Sequence, residues 1–205
     1  MRSLRGVLLA SALPLCALSL VAVAEPVLID FEDFYLGGAE YLDLPETMIY
    51  LHPGGIETTI QGHDDIRIVD LVAYAGSDPG GNGQAFIDMD WSSFDNPEGT
   101  DITFNLPMRS FSLEAGDFGD DDDSPLTIVA YDEFGIEIGS DSAAWAADQE
   151  PPFATLSIVA PGIRRIHWQS GGANANSAFI DNLTFDPAPT ATVATSWSRL
   201  KALYR

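Results

Sequence analysis

The amino-acid sequence predicts an all-β domain, an antiparallel sandwich or barrel, and three observations carry that prediction. Between Glu25 and Pro187, short runs rich in Ile, Val, Phe, Thr and Tyr alternate apolar with polar residues. Gly, Pro, Asn or Asp bounds each run, at spacings of about 8 to 12 residues, as expected of consecutive antiparallel strands. Helical promise is confined to "DSAAWAADQE" (141–150), which reads as a single turn or a loop.

Taken in order, strands are expected at 27–34 ("VLIDFEDF"), 55–62 ("GIETTIQG"), 66–75 ("IRIVDLVAYA") and 84–91 ("QAFIDMDW"). More follow at 101–106, 108–115, 125–133, 135–140, 153–160, 164–170 and 177–185. Alternation assigns faces, because successive strand side chains point to opposite sides. In "MRSFSLEA", Phe111 and Leu113 share one face, while Ser110, Ser112 and Glu114 take the other. In "RRIHWQS", Ile166 and Trp168 face inward and Arg165, His167 and Gln169 outward. In "PLTIVAYDE" apolar residues fall on both faces, as in a strand near the middle of a sandwich.

The two ends have other characters. Residues 1–24 carry Arg2 and Arg5, then an apolar stretch, then small residues at Ala22 and Ala24. That is the layout of a secretory signal peptide cleaved before Glu25, so export is expected, to the medium, the periplasm or the cell surface, with no stable membrane span after cleavage. Cys16, the single cysteine, lies in that leader, so no disulfide or thiolate chemistry is expected in the mature chain. The body runs over 25–186. Residues 187–205 read as a Pro-, Ala- and Thr-rich linker followed by the basic "SWSRLKALYR", either a frayed terminus or a recognition tail for export, anchoring or docking on the acidic body.

Charge excludes whole classes of partner. The net charge is −22, and once Arg2 and Arg5 leave with the leader, seven basic residues face 31 acidic ones, about −24. Nucleic acid and anionic membranes call for clustered Lys and Arg, so neither is an expected partner. With 46% hydrophobic and 10% aromatic residues, the chain has enough to bury a core despite its acidity, which argues for a folded domain over a disordered one.

Oxygen-rich stretches are the chemical candidates. "GDFGDDDDSP" (116–125) holds five aspartates, of which Asp117, Asp121 and Asp123 are able to converge on one cation; the others alternate away and stay solvated. A second stretch supplies Asp88, Asp90, Asp95, Asn96, Glu98 and Asp101. Neither follows the EF-hand spacing. Phase singles out Asp181, which falls on the face of Phe179, Leu183 and Phe185, where a carboxylate is costly unless paired or metal-bound. Asp30 and Glu32 share a face in the first strand, so Glu32 and Asp181 would meet at one structural cation if the first and last strands adjoin. A bulge turning Asp181 to solvent is the competing expectation. Calcium is the natural ion for an all-oxygen site outside the cell.

"GDFGDDDDSPLTIVAYDEFG" with the closing "FIDNLTF" resembles secreted bacterial β-sandwich domains, the jelly-roll modules akin to galactose-binding and carbohydrate-binding modules found in proteins with PEP-CTERM sorting tails. The resemblance covers about residues 27 to 186. It implies a two-sheet antiparallel jelly-roll sandwich with no catalysis and a structural calcium near the paired termini, with Glu32 and Asp181 as ligands. The chain departs from that group in its ending, which lacks the Pro-Glu-Pro motif and membrane segment.

Catalytic signatures are sparse. Gly-x-Ser-x-Gly is absent, and His52, His63 and His167 stand in no HExxH order. A glycoside hydrolase needs only two carboxylates at the right separation, so a carbohydrate-active enzyme stays as the remote alternative. Trp91, Trp145, Tyr35, Tyr41 and Tyr50 sit in or near predicted loops and are candidates to stack on sugar rings, against a competing role in the core. The combined expectation is an exported, non-catalytic binding or surface module, calcium-stabilised, with a polysaccharide or cell-surface component as partner. A structural or adhesive component of a matrix or envelope is the alternative.

Overall fold

In the computed structural model, residues 25–63, 65–75, 83–89, 98–116, 125–144, 154–171 and 178–188 are described, and they form eleven strands, one short α-helix and a 3₁₀ turn at Pro53–Gly55. The strands are β1 (Val27–Ile29), β2 (Tyr41–Asp43), β3 (Thr47–His52), β4 (Ile56–Gln61), β5 (Asp65–Asp70) and β6 (Gln84–Met89). They continue with β7 (Thr100–Gly116), β8 (Leu126–Tyr131), β9 (Glu137–Ala143), β10 (Ala154–Ser170) and β11 (Phe179–Pro187), and the helix α1 is Leu71–Ala75.

The two 17-residue strands, β7 and β10, organise everything else. Their first and second halves belong to different layers. Residues 100–104 of β7 pair with β4 and with the end of β10, which continues to β8 and β9. Residues 108–116 pair instead with the start of β10 and with β11, which continues to β6, β5 and β2 and carries β1 alongside. Each strand bends where proline interrupts it, at Pro107 in β7 and at Pro161–Gly162 in β10, where Gly162 has φ +94° and the register shifts. Proline offers no N–H to a ladder and is found at such irregularities. Hydrogen bonding is therefore continuous from one layer into the other along an open path from β2 to β9, while the layers face each other as a two-sheet antiparallel jelly-roll sandwich.

The core lies between the layers. Ile60, Ile102, Ile128 and Ile166 from one side meet Phe86, Phe111, Leu183 and Phe185 from the other in one buried cluster. Ring contacts cross the gap directly, with Phe104 at 5.0 Å from Phe185 and Phe31 at 6.4 Å from Tyr50. Burying side chains of this size stabilises by roughly 1.5–3 kcal/mol each. A smaller cluster, Val69, Leu71, Ala85, Ile87 and Phe179, forms separately.

Several expectations change. The predicted strand 27–34 stops at Ile29, because Phe31 takes φ +58° and turns the chain out of the ladder. Strands 101–106 and 108–115 are one strand, as are 153–160 and 164–170; a proline bends each without ending it. The sequence reading missed β2 and β3, and "LVAYA" at the end of the predicted strand 66–75 is helical. The apolar row proposed for β11 is also broken. Asn182 has φ +50° and the pairing with β7 shifts between Asp181 and Thr184, so Phe179 belongs to the smaller cluster while Ile180, Leu183 and Phe185 belong to the main core. Asp181 therefore shares the parity of Phe179 only. The leader and the tail beyond Ala188 lie outside the described residues, among which no helix is long and apolar enough to cross a membrane.

Candidate functional site

Outward-facing residues of the β3-β4-β7-β10-β8-β9 layer fall into cross-strand rows. One row runs Thr47, Gln61, Asp101, His167, Val129, Ser140. The next runs Ile49, Thr59, Thr103, Arg165, Tyr131, Glu137. At their centre Asp101 Oδ1 accepts from Arg165 at 3.0 Å and contacts His167 Nδ1 at 3.0 Å. The Arg165 guanidinium lies 4.2 Å above the Tyr131 ring. Thr47 Oγ1 donates to Gln61 Oε1 at 2.6 Å. The hydrogen bond from His167 and the charge of Arg165 hold the Asp101 carboxyl below the usual carboxylate range. Gly99, with φ +69°, lies against His167 and the Trp168 carbonyl, so a side chain there would collide with both. Alternation put Arg165, His167 and Gln169 on this face, but nothing in the sequence paired Asp101 or Tyr131 with them.

Asp181, at the other site, is fully buried. Its Oδ1 accepts from the Asn182 backbone N–H at 2.6 Å, while its Oδ2 has no hydrogen-bond partner. Glu114 stands directly opposite on β7, and its Oε2 accepts from Asn182 Nδ2 at 2.9 Å. Burial, aided by the charges of Glu114, Glu32 and Asp30, pushes the Asp181 carboxyl up to about 8. Glu32 itself is tied elsewhere, its Oε1 accepting from Gln84 N at 2.8 Å at the start of β6. Gly83, φ +73°, is packed so closely on that carboxylate that a Cβ would strike it.

The structure thus brings Glu32 and Asp181 into one acidic neighbourhood, together with Asp30 and Glu114, and a bulge does form at Asn182 without releasing Asp181 to solvent. An all-oxygen donor set with an orphaned buried carboxylate oxygen suits a hard cation such as calcium. Among the described residues, however, no group of three or more acidic, histidine or cysteine side chains is placed to hold a metal ion.

The other predicted residues scatter. Asp117, Asp121, Asp123, Trp91 and Trp145 lie outside the described residues. Tyr35 is 90% exposed in the loop after β1, and Tyr41 lies under Arg67, 4.2 Å from ring to guanidinium. Tyr50 is a strand residue, not a loop residue: its ring turns inward against Phe31 and stacks on His52. The second oxygen-rich stretch does not gather at one point among its described members. Asp88 is buried and accepts from Thr100 Oγ1 at 2.8 Å, Glu98 pairs with His63 at 3.1 Å, and Asp101 belongs to the outer face.

A scan against models of known protein families finds no match, and neither does a search of curated proteins. Among solved structures, a DUF4465 family protein from Bacteroides caccae overlaps with 80% of this chain and 100% of its own, at 13% identity and TM-score 0.49. The CBM22-1 xylan-binding domain from Paenibacillus barcinonensis overlaps with 74% of this chain and 87% of its own, at 10% identity and TM-score 0.27. A family 29 carbohydrate binding module overlaps with 72% of this chain and 79% of its own, at 12% identity and TM-score 0.26.

Proposed function

We propose that the chain is an exported, non-catalytic binding module that takes a glycan on the outer face of β4, β7, β10 and β8, and whose acidic strand end is closed by calcium. The arrangement of Arg165, Asp101 and His167 beside Tyr131 supports the binding reading most strongly. These side chains brace one another before any ligand arrives, and preorganised polar groups lose little ordering entropy on binding. Sugar hydroxyls need donors and acceptors at fixed positions beside some apolar surface. Here Gln61, Thr103, Thr127 and Gln169 extend the polar set across four strands. A carboxyl held ionised by the His167 hydrogen bond and the Arg165 charge is a poor general acid near neutral pH, which favours binding over chemistry at this spot.

Affinity electrophoresis of the full chain through a panel of soluble polysaccharides tests this reading. Retardation by at least one polysaccharide, weakened roughly tenfold, about 1.4 kcal/mol, by Arg165→Ala, is the expected outcome. No retardation by any of them would overturn it in favour of a structural or adhesive role.

For calcium, the supporting observation is the buried, unpartnered Oδ2 of Asp181 amid three further carboxylates. Asp181 would supply a charged oxygen, and the negative charges of Glu114, Glu32 and Asp30 would favour a cation there, although among the described residues no three such side chains are placed to hold one ion. Calorimetric titration with calcium after complete chelation tests this, and no heat of binding together with an unchanged melting temperature would remove calcium from the reading.

A further inference from the structure

A second recess lies on the seam between the two layers, where the chain leaves β1 and passes β3. It is a cavity of about 170 Å³, with Phe31, Phe34, Tyr50 and His52 among its walls and Asp30 and Asp33 at its edge. The rings are mutually ordered. Phe31 meets Tyr50 edge-on at 6.4 Å, and the Tyr50 and His52 rings are parallel to within 7° at 6.3 Å. Phe31 is itself fixed from behind by stacking on Phe86 at 5.8 Å. The Tyr50 hydroxyl and His52 Nε2 are buried and have no hydrogen-bond partner.

We propose that this cavity binds an organic ammonium group, held among the rings of Phe31, Phe34, Tyr50 and His52 and by the carboxylates of Asp30 and Asp33. Aromatic faces carry negative quadrupole potential and attract cations without demanding a directional donor, and two carboxylates add net charge of the right sign. The walls bring no opposing charge. Among the described residues no Lys or Arg lines the cavity, and burial lowers the pKa of His52, which keeps its ring neutral. The same negative surroundings are felt at the Tyr50 phenol, whose pKa rises through burial first and then through Asp33 and Asp30. A bare metal ion would find few ligands among these rings, and a neutral sugar would leave the charge of the two carboxylates uncompensated. A methylated or primary ammonium head on a small organic body matches the size, the apolar walls and the charge together. The chain's net charge of −22 draws such cations toward it from a distance. The site is separate from the Arg165 face, so either reading can fail alone.

The full chain titrated with choline, D-glucosamine and the uncharged choline isostere 3,3-dimethyl-1-butanol, followed by ring-proton NMR shifts, provides the test. At least one of the two cations is expected to bind and to shift the Tyr50 ring signals, with the neutral isostere roughly tenfold weaker. Choline tighter than glucosamine would mark a quaternary head group, and the reverse order an amino sugar. Asp33 is exposed and makes none of the core contacts, so Asp33→Asn should fold normally and weaken binding several-fold. Arg165→Ala should leave this titration unchanged. Because Asp30 also lies near Asp181, the titration is run both in calcium and after chelation. Failure of both cations to bind, equal binding of the neutral isostere, or an Asp33→Asn variant with unaltered affinity would each overturn the proposal.

Discussion

Asp101 lies in the first half of β7 and Asp181 on β11, which pairs with the second half of β7, and the two share little else. Asp101 sits a few ångströms from Arg165 and His167, and its carboxyl is driven below the usual range. Asp181 is more deeply buried, has one oxygen without a partner, and faces Glu114 across the ladder with Glu32 and Asp30 nearby, so its carboxyl is driven up to about 8. Like charges directly opposite in a sheet destabilise, and opposite ones stabilise. One aspartate is thus a finished part of the fold, satisfied by its neighbours. The other is unfinished, and a proton or a cation would complete it.

The largest expected effect separates the two sites by calcium. At a concentration 100-fold above its dissociation constant, an ion binding only the folded state adds about 2.7 kcal/mol. For a domain of this size that is a rise of roughly 5–10 °C in melting temperature, at about 2–4 °C per kcal/mol. Asp181→Asn should abolish the rise, while Asp101→Asn should leave it whole. In the chelated protein the same Asp181→Asn change should stabilise, by about 1–3 kcal/mol, since it removes a buried ionisable group and keeps the acceptor for Asn182. Thermal melting of both variants with calcium and with chelator checks this, and a calcium response surviving in Asp181→Asn would break the contrast.

The pH dependence of chelated protein comes next, with opposite signs at the two residues. For Asp181 the folded carboxyl titrates near 8 against an ordinary 3.8, so the folded state holds a proton that the unfolded chain has released. Its contribution is full below about pH 4, declines as pH rises through about 8, and is flat beyond. For Asp101 the folded pKa is lowered, so its contribution is present above about 4 and is lost as pH falls through the folded value. Denaturant midpoints of wild type and Asp181→Asn between pH 4 and 9 measure the first. The variant should lose the decline between 4 and 8, and an identical profile in both would refute the assignment.

What the sequence disclosed divides along the same line. Alternation correctly placed Phe111, Leu113, Ile166 and Trp168 inside and Arg165 and His167 outside, because a strand's face is a local property. It failed at Phe31 and Asn182, where a non-glycine residue takes positive φ and resets the parity; asparagine favours that conformation more than most residues, whereas nothing about a phenylalanine announces it. It failed again at β7 and β10, where Pro107 and Pro161 read as ends of strands and are bends within them. Cross-strand register was out of reach altogether. Asp101 stood in the sequence among the acids of an oxygen-rich loop, and only the cross-strand register, which sets it opposite His167 with Arg165 beside it, gives it a cationic partner. Asp181 was noticed because a carboxylate amid apolar residues is a physical anomaly at any register, although the apolar row that drew attention to it proved to be two rows.

Gly99→Ala has a more modest effect, confined to the outer face. A Cβ there meets the Trp168 carbonyl and presses on the His167 ring, in a conformation, φ +69°, that side chains resist. A cost of about 1–3 kcal/mol is expected, together with a shift of the His167 ring signals in NMR and weaker glycan retardation. The calcium response should be untouched. A variant that melts lower while keeping its His167 signals in place would mean that Gly99 serves the turn alone and not the binding face.

The smallest effect is also the most discriminating for the acidic site. Glu32 is exposed and its carboxylate already accepts from the Gln84 backbone N–H, a bond that the amide oxygen of Glu32→Gln can keep. Stability of the chelated variant should therefore stay within about 0.5 kcal/mol of wild type, the usual range for a surface change. If Glu32 is a calcium ligand, its affinity for the ion falls in calorimetry while Asp181 continues to bind. If Glu32 serves only to anchor β6 to the turn after β1, the calcium titration is superimposable on wild type, and the charged oxygens beside Asp181 come from Glu114 and Asp30. The charge of Glu32 is felt at Asp181, but its carboxylate is held by the Gln84 backbone N–H, so partial loss is the expected result: weaker calcium binding, with the melting temperature in chelator unchanged.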